Sequence, residues 1–405
     1  MDSQIAKLGT SLTVPSVQEL AKQGITKVPD RYFHPDQDPP VEFHTNQVPV
    51  IDLTKLLSED ENELHKFDHA CREWGFFQLI NHGVDPSTVE NVKIGVREFF
   101  NVPMEEKRKF WQNGDLEGYG QSFVVSEEQK LEWADLFYIF TLPSHVRNPH
   151  LFPNIPQPFR DAIESYSFEL EKLCMTIIKL MTQALKIKPN EMLELFEDVS
   201  QAMRMNCYPP CPQPKHVIGL NPHSDAGALT ILLQATQVEG LEIRKDGCWI
   251  PVQPLSNAFV INIGDILEIV TNGVYRSIEH RATINSVKER ISIATFHGPQ
   301  MKKVIGPTPS LVTYERPALF KRIGVADYYK GYFSRELKGK SYLDMKAPIM
   351  VIVSGDLEGN VGETKGSGDG TDDIEGNVAP GEGVDAMTGD GLGLGASTGD
   401  GAKWS

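Results

Sequence analysis

Apolar residues recur every three or four positions through much of the first half of the chain, which is the spacing of the buried face of an amphipathic helix. The same spacing predicts helices in residues 14–24, 58–74 and 89–100. Between them, the β-branched and aromatic runs of residues 48–53 and 75–83 predict strands. The longest helical series lies in residues 161–185 and includes Ile163, Tyr166, Leu170, Leu173, Ile177 and Leu180.

From residue 201 onward the pattern changes to short β-type runs separated by Gly, Pro, Asn and Asp. Many short strands at regular spacing indicate a closed or double-sheet β structure. A helical half followed by a β half predicts the α+β class with a jelly-roll-like core. The predicted strand regions are residues 201–208, 228–234, 241–254, 258–273, 276–285 and 290–296.

The composition of the chain bears on its binding partners and on the cellular compartment in which it works. The chain has 405 residues and a formal net charge of −16, so electrostatics disfavour a nucleic-acid partner. No stretch approaches the roughly 20 apolar residues of a membrane span, and the N-terminus lacks the apolar core of a signal peptide. An odd number of cysteines without framework spacing indicates free thiols in a reducing compartment. We expect a soluble, cytoplasmic protein with no membrane partner, and a monomer, since nothing in the sequence demands a partner chain.

Residues 351–405 differ in composition from the rest of the chain. They contain 11 acidic and 2 basic residues, many glycines and one aromatic side chain. Such a segment cannot bury enough apolar area to offset its ordering entropy, which predicts a disordered acidic tail over residues 347–405. The imperfect repeat DLEGNV and DIEGNV leaves a calcium-binding glycine-rich repeat as an alternative.

The segment NPHSDAGALTILL (221–233) places a polar patch directly before an apolar run. Strand side chains alternate, so His223 and Asp225 share a face. Burying a carboxylate beside an imidazole is costly unless a cation compensates, although water at a strand end would also satisfy both groups. His280, in HRATIN after the strand-like RSIE, supplies a second imidazole. Two imidazoles and one carboxylate suit Fe(II) oxygenases, because three protein ligands leave open positions for substrates.

A second polar pattern lies near the end of the β half. Arg290 and Ser292 are two residues apart in RIS, and Asn206 and Tyr208 are two apart in NCYPPCPQP. A guanidinium beside a hydroxyl matches a carboxylate, which indicates a small acidic co-substrate. A surface arginine that pairs with a glutamate is the alternative.

The motifs HSD (223–225), HR (280–281), RIS (290–292) and NCYPPCPQP (206–214) together resemble plant Fe(II)/2-oxoglutarate-dependent dioxygenases. PVIDL, EWGFFQLINHG, EGYGQ, EEQKLEWAD, NAFVINIGDILEIVTNG and ALFKRI fit the same family in order, and the similarity spans roughly residues 10 to 346. The sequence is most similar to the subgroup that holds codeine, thebaine and flavone O-demethylases. This resemblance implies a double-stranded β-helix, or jelly roll, flanked by helices.

The resemblance implies that His223, Asp225 and His280 bind Fe(II), with 2-oxoglutarate and O2 as co-substrates and ascorbate as a supporting reductant. Arg290 and Ser292 then match the pair that binds the distal carboxylate of 2-oxoglutarate. The family reaction releases succinate and CO2 and hydroxylates a C–H bond. Hydroxylation of an O-methyl group releases formaldehyde.

Tyr208 is expected to assist at the 2-oxoglutarate carboxylate, and Asn206 matches a family position near the keto acid. Cys207 replaces a tyrosine of the usual NYYPPC motif. Because Cys207 and Tyr208 point to opposite faces of a strand, we expect this replacement to affect packing more than chemistry.

Five positions match the family's substrate pocket: Leu136, Tyr138, Arg204, Phe296 and Gly298. Tyr138 and Phe296 suit stacking on a flat ring, and Leu136 and Gly298 leave space, which predicts an aromatic alkaloid or a methoxylated flavonoid as the substrate. Arg204 could instead pair with an acidic substrate group. Ordinary core packing explains Leu136 and Phe296 equally well.

The resemblance also implies a domain organisation, with a helical lid near residues 320–337 in which Tyr328, Tyr329 or Phe333 closes the pocket. His82 is expected at a strand end, His297 either in the core or near the pocket, and the remaining histidines in polar or loop segments. The predicted regions are 1–47 (irregular), 48–200 (mainly helical), 201–300 (jelly-roll core), 301–346 (lid) and 347–405 (tail).

Four alternatives remain open at this point. One is a zinc or iron β-barrel enzyme that uses no 2-oxoglutarate. Another is a non-redox condensing enzyme that resembles norcoclaurine synthase on the same scaffold. The others are a hormone-type 2-oxoglutarate hydroxylase and a binding protein that retains the fold without turnover.

Overall fold

The computed structural model describes residues 11–35, 47–112, 116–334 and 339–344. The predicted acidic tail and its repeat lie outside these residues, as does His44. Among the residues described, no helix is both long and apolar enough to cross a bilayer.

The helices of the first half follow the predicted periodicity. The α-helices of the described chain are α1 (Val17–Lys22), α2 (Leu53–Leu57), α3 (Glu61–His69), α4 (Pro86–Asn101), α5 (Met104–Lys107), α6 (Phe159–Ala184), α7 (Asn190–Leu193), α8 (Asp265–Val270) and α9 (Val325–Phe333). A π-helical turn, Ala70–Trp74, extends α3 and ends at Gly75, whose φ of 59° is left-handed. Single 3-10 turns occupy Asp30–Tyr32, Arg108–Phe110, Ser144–Val146, Phe152–Asn154, Pro214–His216, Pro309–Leu311 and Ser341–Asp344.

The strands form the expected jelly-roll core. They are β1 (Val50–Asp52), β2 (Phe76–Ile80), β3 (Gly118–Gly120), β4 (Asp135–Leu142), β5 (Ser200–Tyr208), β6 (Leu220–His223), β7 (Leu229–Gln234), β8 (Leu241–Lys245), β9 (Cys248–Pro251), β10 (Phe259–Ile263), β11 (His280–Ala282), β12 (Arg290–Gly298), β13 (Val304–Ile305) and β14 (Ile323–Gly324).

Within the described chain, an eight-stranded sheet has the order β1-β2-β10-β7-β12-β5-β4-β3, and a four-stranded sheet has the order β6-β11-β8-β9. Only the β1–β2 pair of these two sheets is parallel. The α+β class and the jelly-roll core are therefore confirmed.

Two local predictions were wrong, and one strand was not predicted. Residues 258–273 were predicted as β, but the chain leaves β10 at Gly264 and forms α8, because the apolar run there is buried on all sides and carries no distinguishing period. RSIE is not a strand, and β11 begins only at His280. Strand β4 was not predicted, because every one of its residues is buried and no alternation marks it.

The two faces of β12 have different roles. Ile291 and Ile293 point into the large hydrophobic core that also contains the apolar face of α6. Arg290, Ser292 and Phe296 point to the opposite face and line cavities inside the jelly roll. Because of this period-two alternation, one face of β12 packs in the hydrophobic core and the other lines the cavities.

The start of β4 is tied to the N-terminal helix by a buried carboxylate. Asp135 accepts hydrogen bonds from the Ser16 hydroxyl at 2.6 Å and from the backbone N–H groups of Val17 at 2.8 Å and Gln18 at 3.0 Å. The Tyr119 hydroxyl donates to the same carboxylate at 2.9 Å. Burial raises the pKa of Asp135, and these donors offset part of that effect. The contacts hold the start of α1 against β4.

Gly95 marks a close approach between α4 and α6. A Cβ at this position would lie 2.1 Å from the Phe159 ring. In an open helix, Gly→Ala stabilises by about 1 kcal/mol, but overpacking costs about 1–3 kcal/mol. We therefore expect Gly95→Ala to lower the free energy of unfolding, measured by urea denaturation. Ser165→Ala, at an exposed position of α6, is the control and should not lower it; a Gly95→Ala protein more stable than its parent would contradict the predicted clash.

Candidate functional site

His223, Asp225 and His280 meet inside the jelly roll. His223 ends β6 and His280 begins β11, and the two residues are direct partners in the antiparallel ladder between these strands. The Nε2 atoms of His223 and His280 lie 3.5 and 3.6 Å from Oδ1 of Asp225. All three side chains are buried, and one ligand atom from each lies within 4.8 Å of the others. Among the described residues, no other group of this kind is found.

Backbone carbonyls fix the tautomers of both histidines. Nδ1 of His223 lies 2.7 Å from the carbonyl oxygen of Asn221, and Nδ1 of His280 lies 3.1 Å from that of Ile278. A carbonyl only accepts, so each Nδ1 carries the proton and each Nε2 presents a lone pair. Both rings are thus oriented as metal ligands.

The electrostatics of the site favour a neutral imidazole beside an ionised carboxylate. Burial lowers the pKa of His280 to about 4, and the neighbouring His223 contributes to this. Burial by itself would raise the pKa of Asp225, but the facing imidazoles of His280 and His223 and the Thr230 hydroxyl bring that pKa below its usual range. These are the protonation states that metal binding requires.

Two polar side chains that were not predicted support Asp225. Thr230 on β7 and Asn262 on β10 are ladder partners, and their side chains donate to Oδ2 of Asp225 at 2.5 and 2.8 Å. Oδ1 is left for a ligand between the imidazoles. Two imidazole nitrogens and one carboxylate oxygen fit a divalent transition metal such as Fe(II). No motif marks Thr230 or Asn262; only the strand register brings them to Asp225.

A cavity adjoins these ligands, and Asn206, Tyr208, Arg290 and Ser292 all line it. Ladder pairing between β5 and β12 sets Tyr208 opposite Arg290 and Asn206 opposite Ser292. The four side chains therefore share one face, as their spacing predicted.

Arg290 is a buried cation without an anionic partner among the described residues. Its Nε has no hydrogen-bond partner there, and its longer contacts are to the hydroxyl of Ser292 at 3.5 Å and the amide oxygen of Gln234 at 3.4 Å. Burial lowers the pKa of Arg290, and the Tyr208 ring lies 5.2 Å from the guanidinium. An unsatisfied buried guanidinium fits a carboxylate ligand, and the alternative of a surface Arg–Glu pair does not occur.

Cys207 follows the predicted orientation. It is buried in the large core, on the face opposite Tyr208, and its thiol donates to the Glu289 carboxylate at 3.3 Å. Burial raises the pKa of this thiol. All five cysteines are free: Cys71, Cys174, Cys207, Cys211 and Cys248.

A second, larger cavity opens on the other side of His223 and Asp225. Its walls are mainly aromatic and apolar. They include Phe123, Tyr138, Phe140, Phe296, Met301, Tyr329, Tyr332 and Phe333. The two cavities share Arg204, Phe296, His223 and Asp225, so two of the predicted ligands lie between them, and His280 lines the smaller cavity.

Four of the five predicted pocket residues, Tyr138, Arg204, Phe296 and Gly298, line the larger cavity. Leu136 lines neither cavity and packs in a cluster with Tyr138, Phe140 and Ala202. A Cβ on Gly298 would lie 2.7 Å from the Tyr329 hydroxyl. The missing side chain therefore makes room for Tyr329.

The predicted lid contains α9. Tyr329 and Phe333 line the larger cavity, and so does Tyr332, which was not predicted to do so. Tyr328 is fully buried on another face of the helix, where its hydroxyl lies 3.5 Å from the Asp265 carboxylate. The helical period places Tyr332 between Tyr328 and Tyr329, at i+4 from one and i+3 from the other, so spacing by itself does not tell which of these side chains lines the cavity.

Comparisons with known proteins agree with this geometry. Residues 199–299 match the 2OG-Fe(II) oxygenase superfamily, and residues 48–155 match the family described as non-haem dioxygenase in morphine synthesis N-terminal. The chain is 56% identical over 342 residues to oxoglutarate-dependent flavonoid 7-O-demethylase 1 of Ocimum basilicum, covering 84% of this chain and 92% of that protein. It is 51% identical over 357 residues to thebaine 6-O-demethylase of Papaver somniferum, covering 84% and 98%.

Among solved structures, JOX2 in complex with 2OG, Fe and JA is similar, with a TM-score of 0.78 and 36% sequence identity. The match covers 84% of this chain and 100% of that one.

His297 illustrates a buried histidine outside the metal-ligand group. Its Nε2 lies 3.1 Å from the amide nitrogen of Gln201, which also donates to the carbonyl of Ser167 on α6. His297 is buried, as expected for a core position, and it also lines the larger cavity, which was the alternative. Burial lowers its pKa to about 4. His82 is also half-buried, with its ring 4.3 Å from that of Phe259.

The lowered pKa of His297 predicts a loss of stability in acid. Above pH 6.5 the imidazole is neutral in both states, whereas between pH 6.5 and about 4 the unfolded chain binds a proton that the folded chain does not. The free energy of unfolding should fall across this window, by on the order of 3 kcal/mol at most. Urea denaturation at pH 7 and pH 5 should show a smaller loss for His297→Gln than for the parent. An equal loss in both proteins would contradict this assignment, and exposed His65→Gln is the control.

Proposed function

The chain belongs to the 2OG-Fe(II) oxygenase superfamily, and from that premise we propose that it oxidatively demethylates a methoxylated aromatic compound, a flavonoid or an alkaloid of plant specialised metabolism. It is a 2-oxoglutarate-dependent dioxygenase. The observation that carries the substrate proposal is the aromatic cavity that shares His223 and Asp225 with the cavity of Arg290. The names of its demethylase relatives support the same class.

In this proposal, Nε2 of His223, Oδ1 of Asp225 and Nε2 of His280 hold Fe(II). Their buried lone pairs converge on one point, and the proton of each imidazole is committed to a backbone carbonyl. Thr230 and Asn262 keep the second carboxylate oxygen occupied, which directs the first toward the metal.

Arg290, with the hydroxyls of Ser292 and Tyr208, holds the distal carboxylate of 2-oxoglutarate in the smaller cavity. The free Nε of Arg290 and its long contacts leave donors for this anion. Asn206 lies between this pocket and Arg204, with Nδ2 at 3.4 Å from the Ser292 hydroxyl and Oδ1 accepting from Nε of Arg204 at 2.8 Å.

When bound, iron and 2-oxoglutarate supply the oxidation of a C–H bond by O2, with release of succinate and CO2. The chain itself places the methyl carbon and excludes water. Tyr138 of β4 and Phe296 of β12 contact the aromatic ring, and Phe333 of α9 closes the cavity. The hydroxymethyl ether that forms then breaks into a phenol and formaldehyde.

Arg204 orients Asn206 in this proposal. Its Nη2 lies 3.8 Å from the Glu132 carboxylate, so a negative group already faces it. Both side chains are buried. This pairing favours an uncharged aromatic substrate over a carboxylic acid, which would compete with Glu132 for the guanidinium.

The free thiols support a cytoplasmic location, which we propose together with a monomeric state. We propose no membrane or nucleic-acid partner, in keeping with the net charge of −16.

The first test supplies purified enzyme with Fe(II), ascorbate, 2-oxoglutarate and O2, and with O-methylated flavones or alkaloids. Formaldehyde and succinate should form in equal amounts. His223→Ala should abolish both, because two protein ligands hold the metal far less tightly than three. His65→Gln, at an exposed position, should behave as the parent. Unchanged turnover in His223→Ala would count against the ligand assignment. Condensation of an amine with an aldehyde in a parallel reaction without O2 or iron would support the condensing alternative.

Arg290→Ala tests the co-substrate pocket separately. Loss of a buried charge-assisted contact costs about 2–5 kcal/mol, so KM for 2-oxoglutarate should rise at least about tenfold. The aromatic substrate lies in the other cavity, and its Kd should change little. Succinate formation at varied 2-oxoglutarate measures the first quantity and fluorescence titration the second. A metal enzyme that does not use 2-oxoglutarate would be insensitive to this substitution.

A further inference from the structure

The C-terminal part of the chain contacts the backbone that carries two of the proposed metal ligands. The Tyr332 hydroxyl of α9 donates to the carbonyl oxygen of Ser224 at 2.9 Å. The backbone N–H of Gly339 donates to the carbonyl of Pro222 at 2.9 Å, and Gly339 forms a β-bridge with His223. Two carbonyls on either side of His223 thus accept hydrogen bonds from the same C-terminal segment.

This support matters because the backbone leaves the sheet at this point. Strand β6 ends at His223 and β7 begins at Leu229, so Ser224 and Asp225 have no regular ladder to hold them. The backbone N–H of Asp265, at the start of α8, donates a hydrogen bond to the Asp225 carbonyl at 2.8 Å. Among the described residues, the Tyr332 hydroxyl is the only hydrogen-bond donor to the Ser224 carbonyl.

A second set of contacts joins the backbone after β6 to α8 and α9. The Ser224 hydroxyl donates to Oδ2 of Asp265 at 3.1 Å, and the Tyr328 hydroxyl lies 3.5 Å from the same oxygen. Tyr342 packs against both Tyr328 and Tyr332, with ring centroids at 5.2 and 5.6 Å. Helix α9 is therefore fixed at more than one point relative to the peptide between His223 and Asp225, which we call the ligand peptide.

Tyr332 also lines the larger cavity. One side chain thus touches both the substrate pocket and the peptide between His223 and Asp225. We propose that Tyr332 is a positioning residue, whose hydroxyl holds the ligand peptide in its metal-binding geometry and links that geometry to the wall of the substrate pocket. This inference rests on the proposed role of His223 and Asp225 as metal ligands.

Tyr332→Phe removes the hydroxyl and keeps the ring. We expect Mn²⁺, used as the probe metal with 2-oxoglutarate present, to bind about fivefold more weakly, as loss of one hydrogen bond to a ligand-bearing peptide implies. Electron paramagnetic resonance of the free ion measures this. Tyr329→Phe removes a hydroxyl from the same helix and cavity with no contact to the ligand peptide, and should bind Mn²⁺ as the parent does. Tyr314→Phe, at a position 87% exposed, is the inert control.

Two further measurements separate positioning from a general loss of structure. Hydrogen exchange should become faster in the peptide spanning residues 222–228 of Tyr332→Phe and stay unchanged in α6. With an O-methylated flavone, the ratio of succinate to formaldehyde should rise, while KM for the flavone changes little because the ring remains. Ascorbate is present in this assay, since turnover without substrate oxidation consumes two electrons from a reductant.

Equal Mn²⁺ affinity and equal exchange in Tyr332→Phe and Tyr314→Phe would overturn the inference. Equal Mn²⁺ affinity in His223→Ala and the parent would overturn it as well, through the ligand assignment. If the parent binds Mn²⁺ but releases no formaldehyde, the substrate proposal fails, and the Mn²⁺ and exchange measurements still decide the role of Tyr332.

Discussion

The arrangement of the site depends on one buried carboxylate. Asp225 lies inside the jelly roll, where an ionised group is stable only if both of its oxygens are satisfied. The protein satisfies one oxygen with Thr230 and Asn262 and turns the other toward two imidazoles. Strands β6, β7, β10 and β11 each contribute one of these neighbours. The packing of the two sheets against each other therefore has to be correct before the site exists, and a cation bound at Oδ1 would add to the stabilisation of the buried carboxylate.

Period-two spacing made half of this site predictable from the sequence. Arg290 with Ser292 and Asn206 with Tyr208 are same-face pairs on β12 and β5, and the ladder places the two pairs side by side. Strand alternation does not account for His223 and Asp225, because β6 ends at His223 and Asp225 lies beyond it. The meeting of His280 with His223 depends on the β6–β11 register, which local spacing does not encode; the family resemblance supplied it. Thr230 and Asn262 could not be found, because a threonine and an asparagine in strands carry no motif. The same limit explains β4 and α8, where uniform burial removes the alternation that distinguishes a strand from a helix.

The substrate side of the site was less predictable than the metal side, because it is formed by packing between α9 and the sheet. Leu136 and Tyr328 are buried beside the cavity, whereas Tyr332 is part of its wall. The Tyr329 hydroxyl occupies the space that a side chain at position 298 would need. These outcomes depend on the rotation of one helix over one strand, and a difference of one helical position exchanges a wall residue for a core residue.

Strands β5 and β12 carry two kinds of residue along the same inner face. Tyr208 and Arg290 stand at one end, and Ala202 and Phe296 stand toward the other. Descendants of such a gene can therefore diversify in what they accept by exchanging side chains at the second end, while the oxidising machinery stays intact. Insertions and deletions are a different matter, since a shift of one position would turn every one of these groups outward at once. Lineages of this architecture should evolve new selectivity by point substitution and keep the lengths of these two strands constant.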